Sequence, residues 1–338
     1  MNESTLIVEC WEALDFELDS CISRYTDGYA PVFGDMIRYQ LGWNGASFDK
    51  RLSGKRIRPM ILLLTTHALG GEWEQVIPAA AAVELVHNFS LVHDDIQDKS
   101  EKRRGRDTVW VRWGDAQAIN TGDAMLAIAN LEITSLKLPH DPIIVTNAAR
   151  ILSQATFDLT KGQFLDLANE KTEDATMQDY FRMVEGKTGA LFSGCFALGA
   201  LLAGIKQNEI KRFSALGSKL GLAFQIQDDY LGIWGQKRIT GKSIESDLVS
   251  KKKTYPANYA LENLPEVRAY WQEHSVFSPE DVNWIKGRLE STGVDKITLA
   301  AVADYYEESI EEFEDLFTEH ESSAELRSMI KNLFFRNR

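Results

Sequence analysis

Residues 85–110, LVHNFSLVHDDIQDKSEKRRGRDTVW, place three aspartates at the end of an apolar helical run and follow them with arginines. At about 100° per residue, His87, Asp94 and Asp98 fall within roughly 40° of one another on a helix surface. Crowded carboxylates stay ionised only when a cation shares them. Hard oxygen ligands suit Mg²⁺, which bridges to phosphate oxygens. The stretch therefore predicts a magnesium and diphosphate site, although a solvated acidic turn would also explain DDIQD alone.

The composition of the 338-residue chain excludes some classes of function. A formal net charge of −13 argues against a nucleic-acid-binding surface. Cys10, Cys21 and Cys195 are scattered and odd in number, as expected in a reducing cytoplasm. The longest uncharged run, Thr188 to Ile205, contains four glycines and favours a packed core helix over a membrane span. We therefore expect a cytoplasmic protein with no signal peptide, no transmembrane span and no nucleic acid partner.

A second aspartate pair repeats the first arrangement in residues 221–235, GLAFQIQDDYLGIWG. Asp228 and Asp229 end another apolar helix, and a basic segment follows in residues 241–256, GKSIESDLVSKKKTYP. Position 232, four residues after Asp228, is glycine, whereas the first motif has Asp98 there. Two such helices facing each other would hold metal ions between them, with lysines and arginines around the rim.

A cationic cluster, Lys55, Arg56 and Arg58 in GKRIRP, opens a further apolar run. The helix macrodipole disfavours cations at a helix start, so the cluster indicates a bound anion unless it is simply solvated. Further along the chain, Gly186-Lys187-Thr188 interrupts the helical pattern before the apolar run at 190–205. Helical periodicity predicts helices over residues 4–26, 79–98, 115–136 and 143–169.

Six motifs in the same order resemble those of the trans-isoprenyl diphosphate synthases, or polyprenyl synthetases, over nearly the whole chain: GKRIRP, HNFSLVHDDIQD, RRG, GKT, FQIQDD and KKKTYP. The resemblance implies one all-α domain over residues 1–338, a single large bundle of roughly antiparallel helices around a deep central cavity. It also implies a homodimer that uses Mg²⁺. The implied reaction is head-to-tail condensation of isopentenyl diphosphate with an allylic diphosphate, either dimethylallyl, geranyl or farnesyl diphosphate.

The same resemblance implies roles for individual residues. Asp94, Asp98 and Asp228 would coordinate magnesium, with Asp95 and Asp229 supporting them. The residues expected to hold isopentenyl diphosphate are Lys55, Arg58, His87 and Arg104. Those expected around the allylic diphosphate are Arg103, Lys187, Thr188, Gln225, Lys242 and Lys252. The expected catalytic residues are Asp94, Asp95, Asp98, Asp228 and Lys187.

Two positions depart from the family's usual pattern. Gly232 stands where the family more often has a third aspartate, which puts outer-sphere metal contacts in doubt. Glu245 stands where the lysine-rich segment more often carries glycine.

Product length is expected to depend on Phe89 and Ser90, just before the first aspartate motif. A bulky Phe89, a small Ser90 and no insertion in DDIQD resemble the short-chain synthases that make geranylgeranyl diphosphate, with twenty carbons. Phe89 lies about 7.5 Å along the helix from Asp94 and about 140° around it. Neighbouring helices therefore decide whether its ring closes the cavity floor. Alternatively Phe89 is ordinary core and Val86 or other residues set the depth, with farnesyl diphosphate or a longer product.

Three other functions remain open. A terpene cyclase also ionises a diphosphate with aspartate-bound magnesium, but it needs no second diphosphate pocket, so Lys55, Arg58, His87 and Arg104 count against it. A regulatory subunit of a heteromeric synthase usually loses aspartate motifs, whereas the first one is complete here. A purely structural helical protein is the third alternative.

Overall fold

Apolar residues at helical spacing form helices along the chain, and the predicted all-α fold is confirmed. The computed structural model describes residues 4–28, 30–44, 47–137, 142–172, 176–235, 246–318 and 321–335. The α-helices in these ranges are α1 (Thr5–Thr26), α2 (Pro31–Leu41), α3 (Lys50–Ser53), α4 (Ile57–Ala68), α5 (Ile77–Gln97), α6 (Val109–Trp113), α7 (Asp115–Thr134), α8 (Pro142–Lys171), α9 (Met177–Val184), α10 (Ala190–Leu202), α11 (Ile210–Trp234), α12 (Ser246–Val249), α13 (Tyr255–Asn263), α14 (Pro265–Glu273), α15 (Pro279–Ser291), α16 (Val294–Phe317) and α17 (Ala324–Phe335).

Short elements connect these helices. Two 3₁₀ turns, Trp73–Val76 and Glu321–Ser323, precede α5 and α17, and a π-helical turn, Glu185–Gly189, joins α9 to α10. The described strands form two antiparallel hairpins, β1 (Trp43–Asn44) with β2 (Ser47–Phe48) and β3 (Lys102–Arg103) with β4 (Arg106–Asp107). The chain divides into two compact units, each built from several segments.

The first unit comprises Met1–Thr156, Gly194–Ser214 and Phe317–Ile330. Its central helix is α5, which packs against α1, α4 and α7. Pro78 lies in the first turn of α5, where a missing N–H is harmless. Four fully buried alanines follow, Ala79, Ala80, Ala81 and Ala82. Their small side chains let neighbouring helices approach α5 closely. The buried helix ends in the first aspartate motif.

The second unit comprises Phe157–Ser193, Ala215–Leu316 and Lys331–Arg338. A buried cluster that includes Ile233, Leu248, Trp271, Phe277 and Ile285 joins the helices that follow the second aspartate motif. Capping boxes begin two of the unit's helices, with Thr176 and Asp179 at α9 and Ser278 and Asp281 at α15. These reciprocal hydrogen bonds satisfy N–H groups that a helix start otherwise leaves unpaired.

One helical stretch, Trp73–Gln97, is long and apolar enough to cross a membrane by composition. However, 72% of its most apolar 18-residue segment is buried inside the fold, as in the core helix of a globular protein. This stretch, which includes α5, is the single one of that length and hydropathy among the described residues. The expected absence of a transmembrane span stays a prediction.

Candidate active site

The first aspartate motif occupies the last turn of α5. Asp94 lies inside the helix, and Asp98 is the C-cap, whose N–H donates to the carbonyl oxygen of Asp94 at 2.8 Å. Three acidic side chains at a helix C-terminus oppose the macrodipole, which favours cations there. Asp94 is partly shielded, with 18% of its side chain exposed, and its carboxylate lies 3.7 Å from the Arg103 guanidinium. A carboxylate at this position is therefore more stable when a cation is bound beside it.

The second aspartate of this motif, Asp95, is held by Arg103 of the β3–β4 hairpin. The Arg103 guanidinium donates to both carboxylate oxygens of Asp95, with distances of 2.7 and 2.9 Å. Only 2% of Asp95 is exposed, and this burial, together with the nearby charges of Asp94 and Asp98, raises the pKa of its carboxyl. Arg103 opposes that shift. Asp95 thus fixes the hairpin against α5, and its expected role in supporting the metal ligands stays a prediction.

The hairpin turn orients the two arginines of RRG. Arg104 and Gly105 have φ of +52° and +79°, the left-handed values that two-residue hairpin turns need. The Arg104 guanidinium lies over Gly54, where an added Cβ would come within 2.6 Å of Nη2, and it donates to the carbonyl of Leu52 at 2.8 Å. Close packing across this glycine therefore brings Arg104 to the GKRIRP segment.

The environment of Arg104 is crowded with other cations. Burial, and then repulsion from neighbours such as Arg103 and Arg56, lowers the pKa of Arg104 to about 10, with the charge of Glu84 opposing the shift. Arg104 remains protonated at neutral pH. An anion bound beside it would relieve this repulsion.

Arg58 and His87 meet across α4 and α5. The Arg58 Nη1 lies 3.4 Å from the His87 Nε2, and because a guanidinium only donates, Nε2 accepts in the tautomer that makes this bond. Burial, followed by the charges of Arg58, Arg104 and Arg103, lowers the pKa of His87 well below its ordinary value. His87 is therefore a neutral imidazole whose Nδ1–H is a hydrogen-bond donor. The structure brings His87, Arg58 and Arg104 together, as expected for a diphosphate pocket.

Arg56 differs from the other two cations of GKRIRP. It is the left-handed N-cap of α4 with φ of +45°, it is only 3% exposed, and it pairs with Asp15 at 2.8 Å. Its guanidinium also lies within 6 Å of three aromatic rings, those of Trp11, Trp43 and Phe48. The cationic cluster at this helix start is thus partly structural, whereas Lys55 is exposed to solvent.

A buried acid beneath this cluster was not predicted from the sequence. Glu84 is 1% exposed, and its carboxylate accepts a hydrogen bond from the Asn88 amide at 2.7 Å. Burial raises the pKa of Glu84, while the charges of Arg56, Arg104 and Arg58 lower it. An acidic residue inside the apolar run, three positions before His87, is the signal that could have identified it.

The second aspartate pair lies in α11 and divides in the same way as the first. Asp228 is exposed, whereas Asp229 is 5% exposed. Asp229 accepts hydrogen bonds from the Tyr180 hydroxyl at 2.7 Å, the Gln225 amide at 2.8 Å and the Tyr255 N–H at 2.9 Å. Burial raises the pKa of Asp229 to about 7 against these three hydrogen bonds, and the charge of Asp247 adds to the increase.

Two residues expected near the allylic diphosphate join this network. The Thr188 hydroxyl donates to the Gln225 side-chain oxygen at 2.6 Å, and the Gln225 amide nitrogen donates to Asp229. The amide orientation of Gln225 is thereby fixed from both ends. Sequence reasoning missed Tyr180 and Tyr255, whose separation from Asp229 along the chain gave no local signal.

Lys187 lies in the π-helical turn between α9 and α10. Its Nζ is 2.6 Å from the Asp166 carboxylate of α8. Gly162 and Gly186 pack so closely there that a Cβ on Gly162 would come within 2.0 Å of the Lys187 backbone nitrogen. The predicted interruption at Gly186-Lys187-Thr188 is therefore a widened helical turn against α8, and the helical backbone continues through it.

The lysines of the lysine-rich segment have different surroundings. Lys251 donates to the carbonyl of Trp271 at 2.8 Å, and Lys253 donates to that of Asn169 at 2.7 Å. Lys252 is partly exposed, and its N–H donates to the carbonyl of Asp247 at 2.8 Å. Lys242 and Glu245 lie outside the described residues, so their expected roles stay predictions.

The two residues expected to set product length lie on α5. Phe89 is 8% exposed, and its ring meets the edge of His93 with centroids 5.6 Å apart. His93 in turn lies against Gly122 of α7, where an added Cβ would come within 2.3 Å of its Nε2. Ser90 donates to the carbonyl of His87 at 2.7 Å. Phe89 is thus buried against His93, and it is His93 that contacts α7.

Few carboxylates in the two aspartate motifs are exposed enough to bind a metal ion. Within the part of the chain that the structure describes, no group of three or more His, Cys, Asp or Glu side chains is arranged to hold a metal ion. Mg²⁺ in phosphate-transferring sites is commonly held by one or two carboxylates together with substrate phosphates. The first motif offers two partly exposed carboxylates, Asp94 and Asp98, and the second motif separately offers one exposed carboxylate, Asp228.

Comparisons with known proteins identify the family of the chain. A family model described as Polyprenyl synthetase matches residues 46–287. A (2E,6E)-farnesyl diphosphate synthase of Mycobacterium tuberculosis is 42% identical over 71% of this chain, which spans 66% of that protein, just under two thirds. A geranylgeranyl diphosphate synthase of the same organism is also 42% identical, over 77% of this chain and 75% of that protein. The crystal structure of geranylgeranyl pyrophosphate synthetase from Pyrococcus horikoshii matches with a TM-score of 0.86 at 28% identity, covering 97% of each chain.

Proposed function

Because the chain belongs to the polyprenyl synthetase family, we propose that it is a trans-prenyltransferase that condenses isopentenyl diphosphate head-to-tail with an allylic diphosphate. The observation that carries this proposal is the group formed by Arg58, His87 and Arg104, a cationic cluster in addition to the aspartate motifs. Two diphosphates need two such binding groups. A terpene cyclase, which ionises a single diphosphate, has no use for the additional one.

In this proposal Asp94 and Asp98 of the first motif and Asp228 of the second hold Mg²⁺. When bound, Mg²⁺ neutralises negative charge that develops on the departing diphosphate of the allylic substrate. Asp95 and Asp229 keep the neighbouring helical turns in place, because each is buried and held by other side chains. Their function is to position the ligands beside them.

Isopentenyl diphosphate is held by Lys55, Arg58, His87 and Arg104. The guanidinium groups donate paired N–H bonds to phosphate oxygens, and the neutral His87 adds an uncharged donor. The double bond of the bound substrate attacks the allylic cation, and the released diphosphate accepts the proton that is then lost. No side-chain nucleophile is needed.

The allylic diphosphate is held by Arg103, Lys187, Thr188, Gln225, Lys242 and Lys252. Cationic groups around it stabilise the leaving diphosphate more strongly than the intact substrate, which lowers the barrier to ionisation. The Thr188 hydroxyl and Gln225 amide supply oriented dipoles near the developing carbocation. Asp166 fixes the ammonium group of Lys187.

Geranylgeranyl diphosphate, with twenty carbons, is the proposed product. The buried ring of Phe89 before the first motif supports a short product. Farnesyl diphosphate and longer chains are the alternatives, because relatives named for fifteen-carbon and twenty-carbon products are equally similar. The starter is dimethylallyl, geranyl or farnesyl diphosphate.

The whole protein is proposed to act as a cytoplasmic homodimer with a single catalytic domain over residues 1–338. Buried, unpaired thiols at Cys10, Cys21 and Cys195 suit a reducing compartment. The acidic balance of the chain supports the expectation that nucleic acid is not a partner.

The decisive experiment incubates purified protein and Mg²⁺ with isopentenyl diphosphate and each of the three starters in turn. Dephosphorylated products are then sized by mass spectrometry, with a chelator-treated sample as the control. We expect linear alcohols of twenty carbons that require isopentenyl diphosphate. Cyclic products formed without isopentenyl diphosphate would establish a terpene cyclase instead, and inactivity of the isolated chain with every starter would favour a regulatory subunit.

A further inference from the structure

The ammonium group of Lys251 is bound at the end of a neighbouring helix. Its Nζ donates to the carbonyl of Trp271 at 2.8 Å and to that of His274. Both carbonyls lie at the C-terminal end of α14, Pro265–Glu273. The last carbonyls of a helix have no partner within it, and the macrodipole favours a cation there. Lys251 therefore caps α14 from a different part of the chain.

Two aromatic rings lie against the same ammonium group. The Lys251 Nζ lies 5.5 Å from the ring centroid of Trp271 and 4.7 Å from that of Phe277, and the two rings meet edge to face. Both aromatic residues are buried, and burial lowers the pKa of Lys251. Ring faces attract a cation that has lost water. We call the two carbonyls and two rings of Trp271, His274 and Phe277 the Lys251 socket.

The backbone of Lys251 has a conformation that lysine disfavours. Its φ is +53°, its N–H donates to the carbonyl of Leu248 at 2.9 Å, and the N–H of Lys252 donates to the carbonyl of Asp247 at 2.8 Å. These are the two hydrogen bonds of a Schellman turn at the end of α12. Glycine is the usual residue at the left-handed position, because a Cβ is crowded there. A lysine at this position indicates that its side chain contributes what glycine cannot.

Lys253 is anchored in a similar way at the end of α8. Its Nζ donates to the carbonyl of Asn169 at 2.7 Å and to that of Thr172. The carbonyl oxygen of Lys253 accepts a hydrogen bond from the Asn258 amide of α13. The segment is therefore held at position 251 by α14 and at position 253 by α8 and α13.

Lys252 lies between these two anchors. Its N–H is fixed by the Schellman turn, and its side chain is partly exposed. A lysine side chain loses rotamer freedom when it binds a phosphate, and a mobile backbone would add its own entropy cost. Anchoring both neighbours of Lys252 removes that additional cost before a ligand binds.

We propose that Lys251 is a positioning residue for the allylic diphosphate: its ammonium group, held in the Lys251 socket, fixes the turn that presents Lys252 to that diphosphate. Lys253 supports the same segment from α8. This inference rests on the proposed function, which assigns Lys252 to the allylic diphosphate.

The test compares the KM values of the two substrates, measured on the full chain with the active allylic starter and isopentenyl diphosphate. Lys251→Met keeps the length of the side chain and removes the ammonium group. We expect the KM for the allylic starter to rise roughly 10-fold, less than the 10²-fold that a misplacement of about 1 Å can cost. The KM for isopentenyl diphosphate should not change. A purely structural defect would lower the amount of active protein, and hence the apparent kcat, without changing either KM.

Lys296→Met is the matched control. Lys296 is an exposed lysine of α16, so this variant makes the same change of charge away from the Lys251 socket. It should leave both KM values unchanged.

Lys251→Gly separates the side chain from the backbone. Glycine adopts the left-handed conformation without strain, so this variant should keep the turn and fold even if Lys251→Met does not. It nevertheless lacks the ammonium group. We therefore expect the same rise in the KM for the allylic starter, and circular dichroism melting curves show whether each variant is folded.

A double-mutant cycle shows whether Lys251 acts through Lys252. In a chain that already carries Lys252→Met, the further change Lys251→Met should have little effect on the KM for the allylic starter, because the group that it positions is absent. Fold-changes that simply multiply would show that the two lysines act independently and would overturn the inference.

Other results also overturn the inference and leave the proposed function intact. An unchanged KM for the allylic starter in folded Lys251→Gly would show that the Lys251 socket only stabilises the fold. An equal rise in both KM values would show a general disturbance of the protein. If the original protein condenses none of the starters with isopentenyl diphosphate, the proposed function fails and the inference fails with it.

Discussion

The adjacent aspartates in each motif have different surroundings. Asp95 and Asp229 are buried and held by neighbouring donors, whereas Asp94 is partly exposed and Asp228 is exposed. Successive side chains on a helix point about 100° apart, so one member of a pair can face the interior while the other faces solvent. The outward member of each pair is the one that is exposed enough to reach an ion or a substrate phosphate.

Replacing Asp94 tests this division. Asp94→Ala should reduce kcat/KM for condensation by roughly 10²-fold or more, the cost of losing one group that stabilises transition-state charge. The fold should be retained, because the change removes an acid from a helix C-terminus. Steady-state kinetics with Mg²⁺ and a thermal melt measure the two effects, with Asp304→Ala as the surface control. Unchanged turnover would remove Asp94 from the site.

The sequence predicted which residue types form the site but not how they pair. DDIQD and RRG indicated a metal and diphosphate site, and the structure places Arg103 on Asp95. The partners of Asp229, Tyr180 and Tyr255, lie 49 and 26 residues away along the chain. Contacts at such separations leave no periodicity to detect. The metal and substrate roles of these residues stay predictions.

At the scale of elements, close helix contacts position the functional side chains. Gly162→Ala should lower the free energy of unfolding by about 1–3 kcal/mol, because the new methyl group meets the backbone at Lys187 and backbone cannot move aside cheaply. It should also reduce activity by displacing Lys187 from Asp166. Urea denaturation and steady-state kinetics measure the two effects.

Gly287→Ala is the matched control for this variant. Gly287 lies within α15, and an added Cβ there meets nothing within 4 Å. It should raise the free energy of unfolding by about 0.5–1 kcal/mol, since alanine loses less conformational entropy in a helix. If both variants changed stability equally, the contact at Lys187 would not be tight.

The ion pair between α1 and α7 predicts a pH effect on stability. Arg24 lies 2.6 Å from Glu132, whose side chain is fully buried. Burial, and then the charge of Glu17, raises the pKa of Glu132 above its ordinary value of 4.5, while Arg24 opposes the shift. The folded protein therefore binds this proton more tightly than the unfolded chain, and the stabilisation is lost as pH rises through the folded pKa.

Glu132→Gln should not lose stability in that way. Its free energy of unfolding relative to the original protein should increase as pH rises above 4.5. Urea denaturation at pH 4.5 and pH 7.5 gives this difference, with Glu311→Gln on an exposed face of α16 as the control. A constant difference across the two pH values would contradict the raised pKa.

Hydrophobic periodicity predicted the positions of the helices more accurately than it predicted their ends. The predicted helix over 143–169 is α8, Pro142–Lys171, and the one over 79–98 is α5, Ile77–Gln97. In contrast, α11 continues to Trp234 beyond the aspartates that were expected to end it. Periodicity reports which face is buried, whereas a helix end depends on backbone hydrogen bonds and caps.

For the whole molecule, the resemblance of six motifs was enough to predict the all-α fold, but not the packing around Phe89. Phe89 packs against His93 of the same motif, but the glycine at position 122 that His93 contacts lies outside all six motifs. The expected central cavity, single domain and homodimer stay predictions for the same reason. These features depend on the way in which many helices pack together and not on any single stretch of sequence.

Phe89→Ala tests the expected cavity floor. Removing the buried ring opens space beside His93, so the product chain should extend further before release and longer products should form. Mass spectrometry of the dephosphorylated alcohols measures this, with Phe16→Ala, a 74% exposed aromatic of α1, as the control. An identical product distribution would assign the floor to other residues.

The three donors around Asp229 also bear on how much the protein must rearrange when a ligand arrives. Because α9, α11 and α13 each contribute one of those donors, the helical turn that carries Asp228 and Asp229 has little conformational freedom. Binding of the proposed ion at Asp228 would then require little reorganisation of the backbone, so that most of the binding free energy would remain for the ion itself. Tyr180→Phe would remove the hydroxyl that donates to Asp229 and so increase the mobility of that turn without altering any charge.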